Sequence, residues 1–371
     1  MLLGEGVDYY VVAAVQQLYL NLVGYVSLWP GAESRDFFVG RGIRQGDPLS
    51  PLLFGLVMKK VLSEMEGNWQ KQKYGTPVGE RIDGKRLTHV AFVDDVTLIA
   101  RSWKCLCTMI LQLRDGLGKY GLKLHPQKCK VQCNLETGIQ RGMTEISSDF
   151  SVNLLQEDEG VKILGTMLFM DRRSTLEIKH RIRSAWAKFY SLKRLLLHRG
   201  ASIKGRMKLL ESTVGACMLW CAESWTMTQD DSRAIRSAQN NMLRMIVGKG
   251  WCSNDEEWVT WIRRTTRHAR AVAKSSGVKF WDRRIAELQW QWAGHVARKG
   301  AYEWVWQTTF WRDREWTEDV GKNSFRPLRC RPGRWARWED AVHKHAHKLG
   351  WTRWRDAAQD RDLWKEAVTQ F

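Results

Sequence analysis

Two adjacent carboxylates, Asp94 and Asp95, are the most informative chemical feature of the sequence. They separate two short apolar runs, Leu87 to Val93 and Val96 to Ala100, in which β-branched residues are frequent. Runs this short and this close predict antiparallel strands with the acidic pair at the hairpin tip. Neighbouring carboxylates repel each other and lose hydration between buried strands, so they favour a counter-charge such as a divalent metal ion. The alternative is an ordinary Asp-Asp turn that faces water.

Cysteine and histidine pairs offer a second kind of metal chemistry. Residues of one type recur four positions apart at three places, which are Cys129 with Cys133, Cys217 with Cys221, and His343 with His347. None has a further ligand pair nearby in sequence, so a metal site is disfavoured at each, and the cysteines are expected to be small buried side chains. The irregular spacing of the eight cysteines also excludes a disulfide framework.

Charge is distributed unevenly along the 371 residues. The chain has 59 Lys and Arg against 40 Asp and Glu, a net charge of +19, and residues 171–371 hold 40 of these basic and 22 of the acidic side chains. That part alone therefore carries +18. A surface this basic favours a polyanion such as nucleic acid, because neutralised phosphates release condensed counterions. The alternative is a basic surface that serves solubility alone.

Tryptophan is concentrated in the same part of the chain, where 17 of the 21 residues lie from Trp220 onward. Arginine alternates with it in two segments, around Trp335 and around Trp354. Such interleaving suits phosphate contacts beside aromatic platforms on which bases stack. Spacing of three residues between Trp335 and Trp338 also fits the buried stripe of an amphipathic helix, so both interpretations stay open.

Hydrophobic periodicity predicts helices in the N-terminal part of the chain. Apolar residues recur at helical spacing from Val11 to Leu28, and polar interruptions exclude a membrane span or signal peptide there. A second helix is predicted with Asp47 as its cap and Pro48 at its first position, running to about Glu66. A third is predicted from Leu106 to Tyr120.

Strands and further helices complete the expected architecture. The dipeptide Asp83-Gly84 predicts a hairpin turn with a strand on each side. Short strands are also predicted over Leu122–Leu124 and over 161–167. From 174 to 250 apolar residues recur at helical spacing, and the later helices are shorter and more polar. The sequence therefore predicts an α+β layer structure followed by a helical bundle.

Four ordered segments resemble the reverse transcriptases of non-LTR (LINE-type) retrotransposons. They are RGIRQGDPLSPLLF at 41–54, AFVDD at 91–95, GLKLHPQKC at 121–129 and ILG at 163–165. Three later segments look like the C-terminal region of such elements, namely WAGHVAR at 292–298, GRWARWED at 333–340 and AQDR at 358–361. The resemblance thus spans nearly the whole chain and is strongest up to Gly165.

The resemblance implies a right-hand polymerase. It places a partial palm in residues 1–170, an all-α thumb in 171–250, and a basic Trp/Arg-rich helical region that binds nucleic acid in 251–371. The implied reaction is RNA-templated extension of a DNA 3′ end by nucleotidyl transfer. RNA template, DNA primer or target, and dNTPs are the implied partners, and two Mg²⁺ ions are the implied cofactor.

The same resemblance implies roles for individual residues. Asp94 and Asp95 are the implied metal ligands, and Lys128 is implied to neutralise or protonate the leaving group, unless it is a solvated loop lysine. Template, primer or nucleotide binding is implied for Arg44, Gln45, Gly46, Phe92, Leu164 and Gly165. Nucleic-acid binding is expected of Arg334, Trp335, Arg337, Trp338, Arg353 and Trp354.

One departure from the family pattern concerns a further metal-binding aspartate. In the family it lies in a strand ahead of the RGIRQGDP segment, but here only forty residues precede Arg41. The acidic residues among them, none in such a strand context, are Glu5, Asp8, Glu33 and Asp36. Val93 also stands where Ala is usual. The sequence is therefore interpreted as an N-terminally truncated reverse transcriptase, expected inside the cell in nucleus or cytoplasm.

Two rival functions remain open at this point. The first rival is a catalytically inactive remnant whose basic C-terminal surface binds nucleic acid. The second is a group II intron-type maturase, which the WAGH and GRW segments disfavour. We expect the 371-residue chain itself not to polymerise, because two aspartates alone hold two metal ions poorly.

Overall fold

A computed structural model of the chain describes residues 2–29, 32–40, 42–77, 86–133, 141–156, 158–170, 174–248, 256–300, 303–310 and 337–368. Its internal contacts divide the chain into two units. The first unit comprises Met1–Val78 and Gly84–Pro126, and the second comprises Gly79–Asp83 and Gln127–Phe371. This division falls before residue 170, and the assignment of palm, thumb and C-terminal regions stays a prediction.

The first unit combines three described α-helices with short antiparallel strand pairs. The helices are α1 (Tyr9–Tyr19), α2 (Ser50–Lys71) and α3 (Trp103–Lys119). The strand pairs are β1 (Val23–Gly24) with β4 (Phe37–Phe38), β2 (Ser27–Trp29) with β3 (Ala32–Glu33), β5 (Thr76–Pro77) with β6 (Arg86–Leu87), and β7 (His89–Phe92) with β8 (Asp95–Leu98). β5 and β6 are the two strands expected beside Asp83-Gly84, whose turn lies outside the described residues.

The second helix begins and ends later than predicted. It starts at Ser50 with Pro51 in its first turn, so Pro48 is not its first residue. Asp47 is not its cap either, because its Oδ1 accepts a hydrogen bond from the Leu49 amide, at 3.0 Å, in the turn before the helix. The helix continues to Lys71, since its last turns bury Trp69 completely.

The core of the first unit lies between α2 and α3. Its buried residues are Met58, Val61, Leu62, Trp69, Met109, Leu113 and Leu117. The strand predicted at Leu122–Leu124 is wrong, because these residues follow α3 without strand structure. Both leucines pack instead against the helical core, which buries them without a neighbouring strand.

The second unit begins with strands and continues as helices. Its strands are β9 (Lys130–Val131), β10 (Gly142–Ser147), β11 (Phe150–Leu154), β12 (Val161–Ile163) and β13 (Thr166–Leu168). Strand β11 lies at the centre of one sheet, antiparallel to β10 and parallel to β9, and β12 pairs with β13. The single strand predicted over 161–167 is wrong, because Leu164 and Gly165, both with positive φ, form a tight turn between two strands.

Helices make up the rest of the second unit. Those described are α4 (Thr175–Ser191), α5 (Lys193–Leu196), α6 (Ile203–Leu209), α7 (Ala216–Met218), α8 (Gln229–Val247), α9 (Trp258–Ser275), α10 (Trp281–Ala297), α11 (Trp304–Phe310), α12 (Trp338–Lys348), α13 (Trp354–Ala357) and α14 (Arg361–Val368). The helical stretch predicted from 174 to 250 is confirmed over its described residues 174–248, as is the mixed character of helices and strands. In the described part of the chain, no helix has both the length and the apolar character of a membrane span.

A pair of stacked indoles holds the C-terminal helices together. Trp290 of α10 and Trp364 of α14 are 1% and 3% exposed, and their ring centroids lie 3.8 Å apart with planes only 2° from parallel. Each indole N–H donates to the other residue's backbone carbonyl, at 3.1 and 3.0 Å. Both indoles are therefore buried with their only polar hydrogen satisfied, as burial of tryptophan requires.

Gly294 makes this stack possible. A Cβ at this position would lie 2.3 Å from Nε1 and 2.6 Å from Cδ1 of Trp364. Real Cβ contacts are much longer, and the indole is itself held by its hydrogen bond to Trp290. The glycine of the WAGH segment thus provides a close helix-to-helix approach.

Replacing Gly294 by alanine is expected to destabilise the second unit by roughly 1–3 kcal/mol, the usual cost of overpacking a filled core. Thermal unfolding followed by tryptophan fluorescence would measure this loss. Gly300→Ala is the matched control, because nothing lies within 4 Å of a Cβ there. Equal melting temperatures for the two variants would contradict the close-approach role of Gly294.

Candidate functional site

The predicted acidic hairpin is confirmed in the structure. In the register of β7 and β8, Phe92 lies opposite Asp95, so Val93 and Asp94 form a two-residue turn. Val93 has φ of +53°, a left-handed conformation that tight hairpins use but β-branched residues rarely adopt. Asp94 therefore lies in the strained turn, and Asp95 begins β8 opposite Phe92.

Both carboxylates of the pair are open to solvent. Asp94 and Asp95 are exposed, and within the described residues neither side chain has a hydrogen-bond or ion-pair partner. Phe92, directly across from Asp95, is 60% exposed. The site thus presents two unneutralised carboxylates beside an exposed aromatic ring, an arrangement open to cations and to ligands with ring systems.

The base of the hairpin is anchored on the core of the first unit. Val96 and Leu98 of β8 pack against the cluster between α2 and α3. His89 of β7 meets the Trp69 ring edge to face at 5.8 Å, and burial lowers the pKa of this imidazole because it disfavours the charged form. The core therefore holds the base of the β7–β8 hairpin, while its acidic tip is exposed to solvent.

The pair fits Mg²⁺ in donor chemistry but not in number of ligands. Carboxylate oxygens are the donors that this ion prefers. Over the described ranges, however, no group of three or more His, Cys, Asp and Glu side chains could hold a metal ion. Asp94 and Asp95 alone do not form the two-ion centre that the resemblance implies.

The segment expected to contact template and nucleotide forms an ordered turn in the same unit. Gly46 has φ of +90°, and Arg44, Gln45 and Gly46 are all exposed. The Arg44 guanidinium donates to the Leu18 carbonyl at 3.0 Å, which ties this turn to the end of α1. Asp47 contributes a second tie, since its Oδ2 accepts from the Tyr19 hydroxyl at 3.2 Å. The role of this turn in template binding stays a prediction.

Lys128 lies in the second unit, in the 3₁₀ turn Pro126–Lys128 that spans the division between the units. Its side chain is exposed. A role in neutralising a leaving group stays a prediction.

The turn of the β12–β13 hairpin is held by two side chains of the helical part of the second unit. The Trp220 indole donates from Nε1 to the Leu164 carbonyl at 3.2 Å. The Arg181 guanidinium donates to the Gly165 carbonyl through a short hydrogen bond. Both backbone carbonyls of the turn therefore have fixed partners.

Arg181 is itself half of a buried ion pair. Its Nε donates to Oε1 of Glu177 at 2.6 Å, and the two side chains are 7% and 8% exposed. Glu177 also accepts from the Thr166 hydroxyl at 2.9 Å and from the Met167 amide at 3.1 Å, both on β13. We name Glu177, Arg181 and Trp220 the hairpin clamp.

Sequence reasoning missed the hairpin clamp. Its one signal is the acid-to-base spacing of four between Glu177 and Arg181, which is typical of pairs on a helix surface. Such a pair is expected to be solvated, and its burial depends on the hairpin packing over α4. Trp220 gave no signal among so many tryptophans.

The predicted stacking platforms around Trp354 are wrong for that residue. Trp354 is 1% exposed and belongs to the C-terminal core, so it has no open face on which a base could stack. Trp338 is partly buried against the same core, and its Nε1 donates to the Glu223 carbonyl at 2.6 Å. Arg353 is exposed and Arg337 partly so, and their roles stay predictions. Arg334 and Trp335 lie outside the described residues.

Replacing Glu177 by glutamine is expected to cost roughly 3–5 kcal/mol, because Arg181 would keep a buried charge without its counter-ion. Denaturant unfolding of the second unit measures this. Arg233→Gln is the control, since it breaks an ion pair with Asp230 whose side chains are 68% and 85% exposed. Such exposed pairs contribute about 1 kcal/mol at most. A Glu177→Gln loss no larger than the control would show that the clamp is dispensable.

Known proteins are similar to this chain in the part that contains the two hairpins. The profile described as "Reverse transcriptase (RNA-dependent DNA polymerase)" matches residues 11–168, which include the Asp94-Asp95 hairpin and the clamped β12–β13 hairpin. An uncharacterized transposon-derived protein of Caenorhabditis elegans is 26% identical over 293 residues, covering 78% of this chain and 97% of that protein.

Pol polyproteins of R2 retrotransposable elements match over a shorter region. The Drosophila melanogaster R2DM polyprotein is 37% identical over 99 residues, and that of Nasonia vitripennis is 33% identical over 101 residues. Each match covers 27% of this chain but only 8% and 9% of the respective polyprotein. Residues 11–168 are therefore similar to reverse transcriptase domains, and about a quarter of the chain is similar to the Pol polyproteins of R2 retrotransposable elements.

Proposed function

We propose that this chain is an RNA-directed DNA polymerase by descent that still binds RNA and DNA but does not complete a nucleotidyl-transfer site by itself. The observation that carries the proposal is the exposed Asp94-Asp95 hairpin, which has no third ligand among the described residues. In this proposal the chain acts inside the cell, where RNA templates are found.

In this proposal, each part of the chain handles one component of the reaction. Asp94 and Asp95 are ligands for Mg²⁺ in the complete family site, and the Arg44–Gly46 turn lies against the template and the incoming nucleotide. Lys128 balances charge on the leaving pyrophosphate. The clamped tip of β12–β13 supports the primer strand, because two fixed carbonyls give it one conformation.

A catalytically inactive, nucleic-acid-binding remnant is the second candidate. It is favoured by the charge of +18 on residues 171–371, which does not depend on the acidic hairpin. Both candidates bind nucleic acid, and they differ in whether Asp94 and Asp95 contribute to any activity. Primer extension that depends on Asp94 would exclude the second candidate.

The purified 371-residue chain is expected to give no primer extension above background on a primed RNA template, with either Mg²⁺ or Mn²⁺. Two adjacent carboxylates fix two ions poorly, and misplacement of reacting atoms by about 1 Å already costs on the order of 100-fold in rate. The assay measures dNTP incorporation, with an active reverse transcriptase on the same template as control. Robust extension abolished by Asp94→Ala would contradict this expectation and favour the polymerase.

Nucleic-acid binding by the chain is expected to depend strongly on salt. If about six to ten phosphates are contacted, affinity falls roughly 10³- to 10⁵-fold between about 50 and 200 mM salt, with little sequence preference. Fluorescence anisotropy with single-stranded RNA and duplex DNA measures this. No binding to either at low salt would overturn the proposed function.

A further inference from the structure

Helices α10 and α14 line a solvent-open cavity whose walls are strongly basic. Its volume is about 780 Å³, and its charged lining residues are Arg298, Lys299, Arg361, Lys365 and Asp362. Four cations thus face one carboxylate. Pockets of this size are large enough for a substantial part of a ligand.

Most of these cations are not neutralised by a neighbouring carboxylate. Over the described residues, Lys299, Arg361 and Lys365 make no ion pair. Arg361 is the first residue of α14, where the positive end of the helix dipole disfavours a cation. The amides of that end are already satisfied, because Asp360 Oδ1 accepts from the Asp362 and Leu363 amides at 3.0 Å each.

Arg298 is held in place beside Arg361 despite their like charges. Its guanidinium donates to the Ala358 carbonyl at 2.7 Å, which fixes it at the end of α10. Burial lowers the pKa of Arg298, and the charge of Arg361 lowers it further. A fixed cation next to a repelling neighbour is a site where a bound anion relieves repulsion.

An aromatic pair borders the same cavity. His295 lines it, is exposed, and stacks on Trp292 with ring centroids 5.2 Å apart and planes 21° from parallel. Cations beside an aromatic stack are the combination by which proteins hold single-stranded nucleic acids, with phosphates on the charges and bases on the rings. An acidic peptide would need the cations but not the aromatic stack, so the combination favours a ligand that carries bases.

We infer that the cavity between α10 and α14 binds the phosphate backbone of single-stranded nucleic acid, with Arg298, Lys299, Arg361 and Lys365 contacting phosphates. This site rests on the proposed function, since it adds a location to nucleic-acid binding by the chain. It differs from the predicted Arg/Trp segments, because its cations come from the ends of the WAGHVAR and AQDR segments and from α14.

The test compares two double variants of the full chain that lose the same charge. Arg361→Gln with Lys365→Gln alters the cavity, and Arg267→Gln with Lys274→Gln alters exposed positions on α9 outside it. Anisotropy is measured with a labelled single-stranded RNA of about 20 nucleotides, which exceeds one typical site. All four replaced side chains are exposed, and melting temperatures confirm that each variant folds.

The cavity variant is expected to lose two phosphate contacts. The slope of log affinity against log salt then falls by about 1.4, at about 0.7 per contact on single strands, and affinity near 0.1 M salt falls on the order of 10-fold. The control keeps its slope. Equal slopes and affinities for the two variants, with wild-type binding intact, would overturn the cavity assignment alone. Absence of binding by the wild-type chain would instead overturn the proposed function.

Two further arms identify the source of the phosphate. Inorganic phosphate is titrated against bound RNA, with potassium chloride at matched ionic strength as reference, and equal displacement by both supports a backbone site. Stronger displacement by phosphate would indicate a site for the free anion and overturn the inference. Vesicles of phosphatidylcholine and phosphatidylserine form the last arm, and vesicle binding lost in the cavity variant while RNA binding is retained would overturn it too.

Discussion

The buried ion pair between Glu177 and Arg181 is the interaction that fixes the β12–β13 hairpin on α4 in the second unit. Removing two charges from water is costly, and it is tolerated only where hydrogen bonds satisfy both groups. Here the carboxylate accepts from Thr166, Met167 and Arg181, and the guanidinium reaches the Gly165 carbonyl. The hairpin therefore supplies the partners that make burial of the pair possible, and the pair in turn fixes the hairpin on α4.

The sequence predicted what local patterns determine. Two apolar runs around an acidic pair define the β7–β8 hairpin, because runs this short and this close can pair only as antiparallel strands, and helical periodicity defines α3 and α4. Sequence-based prediction failed where tertiary packing decides the local structure. Leu122 and Leu124 alternate like a strand but pack against helices, and Pro48 precedes its helix because Pro51 is the proline in the first turn. The metal role of Asp94 and Asp95 follows neither from local sequence patterns nor from the packing described, since it requires further ligands whose positions sequence spacing does not give.

Tryptophan and arginine have separate tasks in the C-terminal helices, although they alternate in the sequence. The indoles of Trp290, Trp354 and Trp364 form the core, whereas cations such as Arg361 and Lys365 lie on the outside of α14. Even Arg355, next to Trp354, is engaged internally, donating to the buried Glu339 at 2.6 Å. Positive charge thus surrounds an aromatic core, and the basic surface needs no exposed indole to attract phosphates. The interleaving reflects helical geometry, in which the buried face and the exposed face each recur every three to four residues.

The stacked indoles of α10 and α14 also delay the folding of the C-terminal core during synthesis. Trp290 and Trp364 are 74 residues apart, so at about 5–20 residues per second the ribosome delivers the second indole roughly 4–15 s after the first. During that interval the surface of α10 around Gly294 lacks its cover and exposes apolar atoms. A nascent chain in this state is a substrate for chaperones and is prone to aggregation. The C-terminal core of this protein therefore closes only after α14 has been synthesised.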